Sequence, residues 1–491
     1  SVNVQYWGFD GASVPINGIL RVPGGTGPFP LAIFVHGNDD PEGYTDPENP
    51  YSDPGYIYLC DLLASRGIIA ATIDENFLNG GSGETDARAI VHLEHIRQFA
   101  IWNAIAGHPL YGKVDLNHIM LVGHSRGGEG VGHAGYYNTY SGNNPVTLDG
   151  SEGLGPYSFD LKALVAIAPT DGQYVPPTGP TQIKNNYLII HGSRDGELTF
   201  FFSGYKTYDR AHPIDPVNPV RDANGFKTLA WIIGANHNYF NSTWLNESAS
   251  TILTRTEQEN VAKVYISAMA EATLLGHRQY LKFLKNHDLG ANWLPSSGTY
   301  VSQYQAANRL FINHYEEDTD TATLSPPLSG ANSWNASTFS EMNFDLGYLS
   351  RLYQQTHGVR FSWSSPSQYY QTSFSGAGLN ANGYGHLALR IGQSHETENL
   401  EGADQDLRII VQDSTGASAS FVVSALSRLV YPDARTHGFS TFYRTVMQTV
   451  RVPLNDVRMM GVDVAHIASV KLVFDQVSTG TVYFDEIQLS N

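Results

Sequence analysis

Short apolar runs separated by turns rich in Gly, Asn and Asp dominate the chain up to about residue 295. Stretches with helical spacing lie between these runs. Strands that alternate with helices are typical of a mostly parallel sheet covered by helices on both faces. The first domain, residues 1–295, is therefore predicted to be α/β. The runs that we interpret as its buried strands are 31–35, 68–73, 118–122, 163–167, 186–190 and 228–233.

One long helix is predicted after the last of these runs. Thr256 and Glu259 have the spacing of a capping box, in which each side chain satisfies a backbone N–H group of the other residue. This helix is expected to close the first domain. Apolar residues that recur at helical spacing are expected to face the core; they are Val261, Val264, Tyr265, Ala268, Met269 and Ala272.

The pattern changes after residues 296–307, which we interpret as a linker between two domains. From 308 to 491 helical periodicity is scarce, and short alternating runs predict an all-β sandwich or jelly roll. The clearest of these runs are 387–391, 407–411, 420–423, 470–474 and 482–487.

Composition limits the classes of function. A chain of 491 residues is long for one core and suggests two domains. The net charge of −18 opposes nucleic acid and anionic membranes as partners. The longest apolar runs are strand-sized, well short of the ~20 residues that a membrane span needs.

Cysteine usage and the start of the chain bear on its location. Cys60 is the single cysteine, so an intramolecular disulfide is excluded, and we expect its side chain to pack inside a helix. The chain begins at Ser1 without a basic, apolar leader, as a mature secreted chain would. We therefore expect an extracellular or periplasmic location.

The pentapeptide Gly123-His124-Ser125-Arg126-Gly127 carries the strongest chemical signal. It stands between the predicted strand 118–122 and a glycine-rich stretch that can form a helix. A Gly-x-Ser-x-Gly sequence in this context is typical of a nucleophile on a sharp strand-to-helix turn, where only small residues fit beside the serine. Ser125 would stand at the C-terminal edge of the sheet, where a histidine can take its proton.

The other members of a catalytic triad follow in the expected order. Asp195 comes after the predicted strand 186–190, and His237 comes after 228–233. His237 would act as general base, and Asp195 would hold its tautomer and stabilise the imidazolium. Asp171, after 163–167, is the alternative acid, although a turn residue before Gly172 is the simpler interpretation.

An oxyanion hole needs two N–H donors aimed at the developing alkoxide. Arg126 follows the nucleophile and supplies one. Asn38, after the predicted strand 31–35, is the preferred second donor, with Gly37 next. The acidic stretch 39–49 follows directly and would border the cleft as a cation site, a barrier to anionic substrates or a solvated loop.

These motifs resemble those of bacterial serine hydrolases. The similarity covers roughly the first 290 residues and points to the chlorophyllase, dienelactone-hydrolase and polyester-hydrolase neighbourhood of the α/β-hydrolase superfamily. It implies the α/β-hydrolase fold and ester hydrolysis without a cofactor. Ser125 replaces the cysteine of dienelactone hydrolases and favours carboxylesterases, whereas the single cysteine and Asn38 depart from the polyester hydrolases. The segments that carry the resemblance are His36-Gly37-Asn38, 62–67, 123–128 and 234–238.

The closing segment 483–489 resembles the last strand of galactose-binding-like jelly rolls, including carbohydrate-binding modules. The resemblance implies a glycan partner and a structural calcium ion. Glu316 and Asp485 are weak candidate calcium ligands, and solvated surface acids are the simpler interpretation because calcium needs ~6–8 oxygens. Four aromatic residues could stack on sugars or fill the core of the sandwich: Trp363, Tyr369, Tyr370 and Tyr384.

Two classes of function remain. The first is a secreted serine carboxylic-ester hydrolase that works through an acyl-enzyme, including an esterase or deacylase on a polysaccharide ester or polyester that uses the sandwich as a binding module. The second is a non-catalytic binding protein. The joint presence of Ser125, Asp195 and His237 favours the enzyme.

Overall fold

The computed structural model of this chain describes residues 14–38, 51–81, 83–138, 155–176, 179–198, 203–213, 224–247, 250–318, 320–346, 352–437 and 440–491. The chain divides into two compact units, Ser1–Tyr300 and Val301–Asn491. The first is a mixed α/β unit and the second is all-β apart from short helical turns, which is the predicted order of fold classes.

The first unit contains all six predicted strands and one further edge strand. Its strands are β1 (Gly18–Arg21), β2 (Phe29–Val35), β3 (Ile69–Ile73), β4 (Val114–His124), β5 (Leu161–Ile167), β6 (Asn186–Gly192) and β7 (Phe226–Ile233). Its α-helices are α1 (Ile57–Ser65), α2 (Thr85–Ala104), α3 (Arg126–Asn138), α4 (Arg255–Thr273) and α5 (Leu281–Lys285). Short 3₁₀ turns cover Asp53–Tyr56, Asn76–Leu78, Gly204–Tyr208, Asn238–Phe240, Arg278–Tyr280 and His287–Trp293.

The sheet order explains why distant segments meet. The strands run β1-β3-β2-β4-β5-β6-β7, with β1 antiparallel and the others parallel. One row across the sheet contains Val35, Gly123, Ala166, Ile189 and Leu229. The loops that follow β2, β4, β5, β6 and β7 therefore leave the same edge of the sheet, where α/β proteins place their ligands.

The capping box of helix α4 lies two residues before the predicted one. Thr254 accepts a hydrogen bond from the Glu257 backbone, and the Glu257 side chain accepts from the backbone of Thr254. Both Thr254 and Thr256 precede a glutamate by three residues, so spacing alone could not decide between the two boxes. Val264, predicted to be in the core, is half-buried.

A strand occupies most of the segment that we interpreted as a linker. β8 (Thr299–Ala306) contains the boundary between the two units. The correction has a local cause: Tyr300, Val301 and Tyr304 are residues that favour strands, and they lie among alternating polar residues.

After β8, the second unit contains short strands and one short helix in its described residues. These elements are β9 (Arg309–Asn313), β10 (Gly330–Asn335), β11 (Thr338–Asp345), β12 (Tyr353–Trp363), β13 (Tyr369–Phe374), β14 (His386–Gln393), β15 (Arg408–Asp413), β16 (Ser418–Val422), β17 (Ala434–His437), β18 (Ser440–Tyr443), β19 (Gln448–Pro453), α6 (Leu454–Met459), β20 (Ile467–Val473) and β21 (Gly480–Ser490), with a 3₁₀ turn at Val423–Ala425. The five predicted runs all lie in or beside these strands.

The second unit is built on two antiparallel sheets. Their strand orders are β10-β13-β20-β15-β16 and β11-β12-β21-β14-β19, and β9 pairs with β21. Apolar residues from both sheets form one core, as in a sandwich.

Two further predictions concern burial and membranes. Cys60 lies fully buried in α1, as predicted, and burial raises the pKa of its thiol. Across the described ranges, every helix is too short or too polar to cross a membrane.

Candidate active site

Ser125 occupies the sharp turn between β4 and α3. Its φ angle of +57° is in the left-handed region, which non-glycine residues enter rarely and at a cost in backbone strain. The Ser125 amide donates to the Ile167 carbonyl at 2.9 Å, and its own carbonyl accepts from Gly128 N at 2.9 Å. A side chain on Gly123 would overlap the Gly127 carbonyl group, which explains the glycine at that position.

Asp195 and His237 form a buried pair at the same edge of the sheet. Asp195 Oδ2 accepts from His237 Nδ1 at 2.7 Å. The other carboxylate oxygen, Oδ1, accepts from the backbone N–H groups of Leu198 at 2.7 Å and Glu197 at 3.0 Å. His191 Nε2 also lies 3.3 Å from Asp195 Oδ2. The acid is therefore held in one orientation, which directs His237 Nε2 away from it.

The opposite charges of Asp195 and His237 stabilise each other, and this interaction shifts both pKa values. Burial alone would raise the pKa of Asp195, but the charge of His237 and hydrogen bonds from His191 and His237 hold that pKa well below its usual value. Burial alone would lower the pKa of His237, but Asp195 outweighs it and raises the pKa to about 9. The site thus favours an imidazolium, the form that a general base reaches after taking a proton.

His124 joins the serine turn to the loop of His237. Its Nε2 donates to the His237 carbonyl oxygen at 3.1 Å, and this leaves Nδ1 to accept from the Tyr56 hydroxyl at 2.9 Å. Burial lowers the pKa of His124 well below its usual value, so the ring is neutral. Trp244 packs 4.7 Å from the His124 ring and parallel to His237. The residue before Ser125 therefore contacts the residue predicted to be its base.

One predicted oxyanion donor, Arg126, follows Ser125 directly, and the residue before the other, Gly37, packs on Ser125. A Cβ atom on Gly37 would overlap Ser125 Cβ and lie 3.0 Å from Ser125 Oγ, so the chain just before Asn38 packs directly on the serine. The Asn38 side chain accepts from Gly80 N at 2.7 Å and is turned toward that loop. Arg126 begins α3, where the first N–H groups have no acceptor within the helix.

A buried ionic network lies beneath these donors, and the sequence did not predict it. Arg88 is fully buried and donates to Glu75 at 3.4 Å, to Glu84 at 3.3 Å and to the His36 carbonyl oxygen at 3.2 Å. Glu84 also accepts from the Arg126 side chain at 2.8 Å. The network therefore connects the chain before Asn38 with the first residue of α3.

The alternative acid has different partners. Asp171 binds the Arg210 guanidinium through two hydrogen bonds and lies 3.5 Å from Lys206 Nζ. The Asp171 carboxylate therefore pairs with two cations on the segment after β6. The structure brings Asp195, and not Asp171, to His237.

The candidate calcium ligands are not brought together. Glu316 accepts from the His357 amide at 2.5 Å and from its ring at 2.9 Å. Asp485 is fully buried and lies 3.4 Å from Arg390. In the part of the chain that the structure describes, three or more His, Cys, Asp or Glu side chains nowhere converge as a metal site would require. Residues 39–49, the other acidic candidate, lie outside the described residues.

Two of the four aromatic residues considered for sugar stacking lie in the core, and the other two are half-buried. Trp363 and Tyr370 belong to the core of the second unit, and Tyr384 packs against that core. Tyr369 is half-buried, with Lys471 Nζ 3.9 Å from its ring centre. These positions fill or border the sandwich, because alternate residues of its strands must face inward.

The Gly37→Ala variant tests the close packing at the serine. The added methyl group overlaps Ser125, so we expect the free energy of unfolding to fall by about 1–3 kcal/mol, measured by chemical denaturation. Gly24→Ala is the control, since a Cβ there meets no atom within 4 Å and should change stability by less than about 0.5 kcal/mol. Equal stability of the two variants would contradict the contact.

Comparison with known proteins adds no assignment. No protein-family model matches this chain, and no curated protein is similar enough to it to count as a match.

Proposed function

We propose that this protein is a serine carboxylic-ester hydrolase with the α/β-hydrolase fold. The observation that carries the proposal is the Asp195–His237 pair at the sheet edge where Ser125 occupies a strained turn. The mostly parallel sheet and the order Ser, Asp, His along the chain support it further. A hydrolase with another acyl substrate would use the same residues, so the ester is the part of the proposal that activity measurements must decide.

Each residue has a defined task in the proposed reaction. Ser125 Oγ attacks the ester carbonyl carbon while His237 Nε2 takes the hydroxyl proton. The carbonyl oxygen becomes an alkoxide, and the backbone N–H groups of Asn38 and Arg126 stabilise it. His237 then gives the proton to the leaving alcohol, and the C–O bond to that alcohol breaks. Water repeats the attack on the acyl-enzyme and releases the acid and free Ser125.

The proposal is tested on p-nitrophenyl esters from acetate to palmitate with the native chain and Ser125→Ala. We expect the variant to lose about 10⁶-fold in kcat, the scale seen when this nucleophile is removed from other serine hydrolases. A fluorophosphonate should label the native chain once, at Ser125. Ser65→Ala is the control, because this exposed hydroxyl donates a hydrogen bond to the Leu62 carbonyl group within α1.

Two results would contradict the proposal. One is undiminished ester hydrolysis or labelling in Ser125→Ala. The other is a native chain that hydrolyses none of the esters and stays unlabelled.

A further inference from the structure

A second buried carboxylate, that of Glu247, faces the pair of Asp195 and His237. Glu247 is 7% exposed and lies on the segment that follows His237. Its Oε1 accepts from the His237 amide at 2.7 Å and from Gly196 N at 3.5 Å. Its Oε2 accepts from Asn238 N at 3.3 Å. One side chain thus holds both the loop of the acid and the loop of the base.

We propose that Glu247 is a positioning residue that fixes the backbone of His237 so that its imidazole can act as the base. This inference rests on the proposed function, because it assigns Glu247 a task in the same site. The role is indirect: the carboxylate binds backbone N–H groups, and it acts on the reaction through His237.

The first part of the argument is geometric. His124 donates to the His237 carbonyl oxygen at 3.1 Å, while Glu247 accepts from the His237 amide at 2.7 Å. The backbone of the base is therefore held on both sides, by the serine turn and by Glu247. Asp195 fixes the ring through Nδ1. A general base must hold its nitrogen within ~3 Å of the reacting hydroxyl, so loosening either backbone contact misplaces Nε2.

The second part is electrostatic. All three groups bonded to Glu247 are N–H donors, which match the acceptor-only ionised carboxylate. Burial raises the pKa of Glu247, while the charge of His237 opposes this rise. In turn, Glu247 adds to the effects of Asp195 and Glu197 that raise the pKa of His237.

Other charged and titratable side chains also surround Asp195 and His237. His124 and His191 face the pair from β4 and β6, and burial keeps His124 neutral. Arg255, at the start of α4, interacts electrostatically with Glu247 but donates its hydrogen bonds to the carbonyl groups of Asn241 and Trp244. The negative charge of Glu247 is therefore directed mainly at the backbone of His237.

The test compares Glu247→Gln with Glu197→Gln. Glu197 is exposed and also raises the pKa of His237 through its charge, but its side chain makes no bond to the His237 backbone. Two quantities are measured in each variant. One is the midpoint of the His237 titration, followed by NMR of histidine-labelled protein and assigned with His237→Asn. The other is the pair kcat and KM against pH.

Both variants should lower the titration midpoint of His237, by less than the ~1–3 units that a directly paired charge gives. Only Glu247→Gln should also lower kcat, by about tenfold with little change in KM, because it places an NH₂ group against a backbone donor. An unchanged kcat in Glu247→Gln would overturn the proposal. Equal loss of kcat in both variants would overturn the positioning role.

A further variant covers the case in which Glu247→Gln does not fold. Glu247→Asp keeps the charge but shortens the reach, so it should keep the midpoint close to native while kcat falls. A native kcat in this variant would overturn the positioning role. The NMR titration needs no substrate. If the native chain hydrolyses no ester, the proposed function fails, and the midpoint still decides whether Glu247 acts on His237.

Discussion

Replacing Arg88 with methionine is expected to lower the free energy of unfolding by about 3–5 kcal/mol, measured by chemical denaturation. Arg88 is fully buried between two carboxylates that are themselves fully buried, those of Glu75 and Glu84. Removing the guanidinium leaves Glu75 without its cation in a region that water does not reach, while Glu84 keeps only the cation of Arg126. The cost of an uncompensated buried charge exceeds the packing that methionine restores.

Two controls show whether the loss of stability comes from the buried charges or from any substitution in α2. Arg97→Met, on the same helix, removes a partly exposed cation that lies 3.4 Å from Glu94, so its loss should cost less than about 1 kcal/mol. Adding Glu75→Gln and Glu84→Gln to Arg88→Met should recover much of the stability, because the buried charges are then gone. A small loss in Arg88→Met alone would show that the network contributes little.

The Asp195→Asn variant is expected to lower kcat on esters by about 10⁴-fold while the fold persists. The asparagine oxygen can keep the bonds from Glu197 N and Leu198 N, which places its NH₂ group toward His237 Nδ1. Nδ1 must then accept a hydrogen bond, so Nε2 carries the proton. A protonated Nε2 cannot take the proton of Ser125, and the base is lost although every residue stays in place.

Asp171→Asn is the matched control for this experiment. Its carboxylate binds Arg210 and does not contact His237, so kcat should stay within about threefold of native, a barrier change below ~1 kcal/mol. If the large loss appeared in Asp171→Asn and not in Asp195→Asn, the assignment of the acid would be reversed. Thermal unfolding of both variants shows whether any loss of activity reflects loss of fold.

The strands and the sharp turn at Ser125 could be predicted because both are local signals. A buried strand in a parallel sheet is an apolar run with turn residues at its ends, and the six runs met this description. The turn at Ser125 demands small neighbours, and those glycines stand in the sequence. Asp195 and His237 follow β6 and β7, which are neighbouring parallel strands. The order of strands along the chain was therefore enough to predict that these two residues lie at the same edge of the sheet.

The ionic network and Glu247 could not be predicted, because their environments are created by distant parts of the chain. Glu84 and Arg88 are four residues apart, a spacing that equally suits a solvated pair on a helix surface. Only the packing of α2 under the loops after β2 and β3 makes them buried. The sequence around Glu247 carries no signal of a role in catalysis, and its backbone partners appear only when the loops after β6 and β7 meet.

Errors in the prediction also have local causes. Two overlapping sequences satisfied the capping box at α4, and side-chain spacing does not show which threonine leaves the helix. The segment 296–307 looked like a linker because Ser296, Ser297 and Gly298 follow Pro295, although strand-forming residues come next. Both errors concern the boundary of a helix or a domain, where the spacing of residues in the sequence gives the least information.

The sheet order has a consequence for the growing chain. His124 and His237 make contact although 113 residues separate them, and parallel pairing of such distant segments forms slowly. A nascent chain that ends before β7 contains Ser125 but neither its base nor Glu247. Until synthesis passes that point the serine remains an ordinary alcohol, so the proposed hydrolytic activity switches on late, when the whole sheet has been assembled.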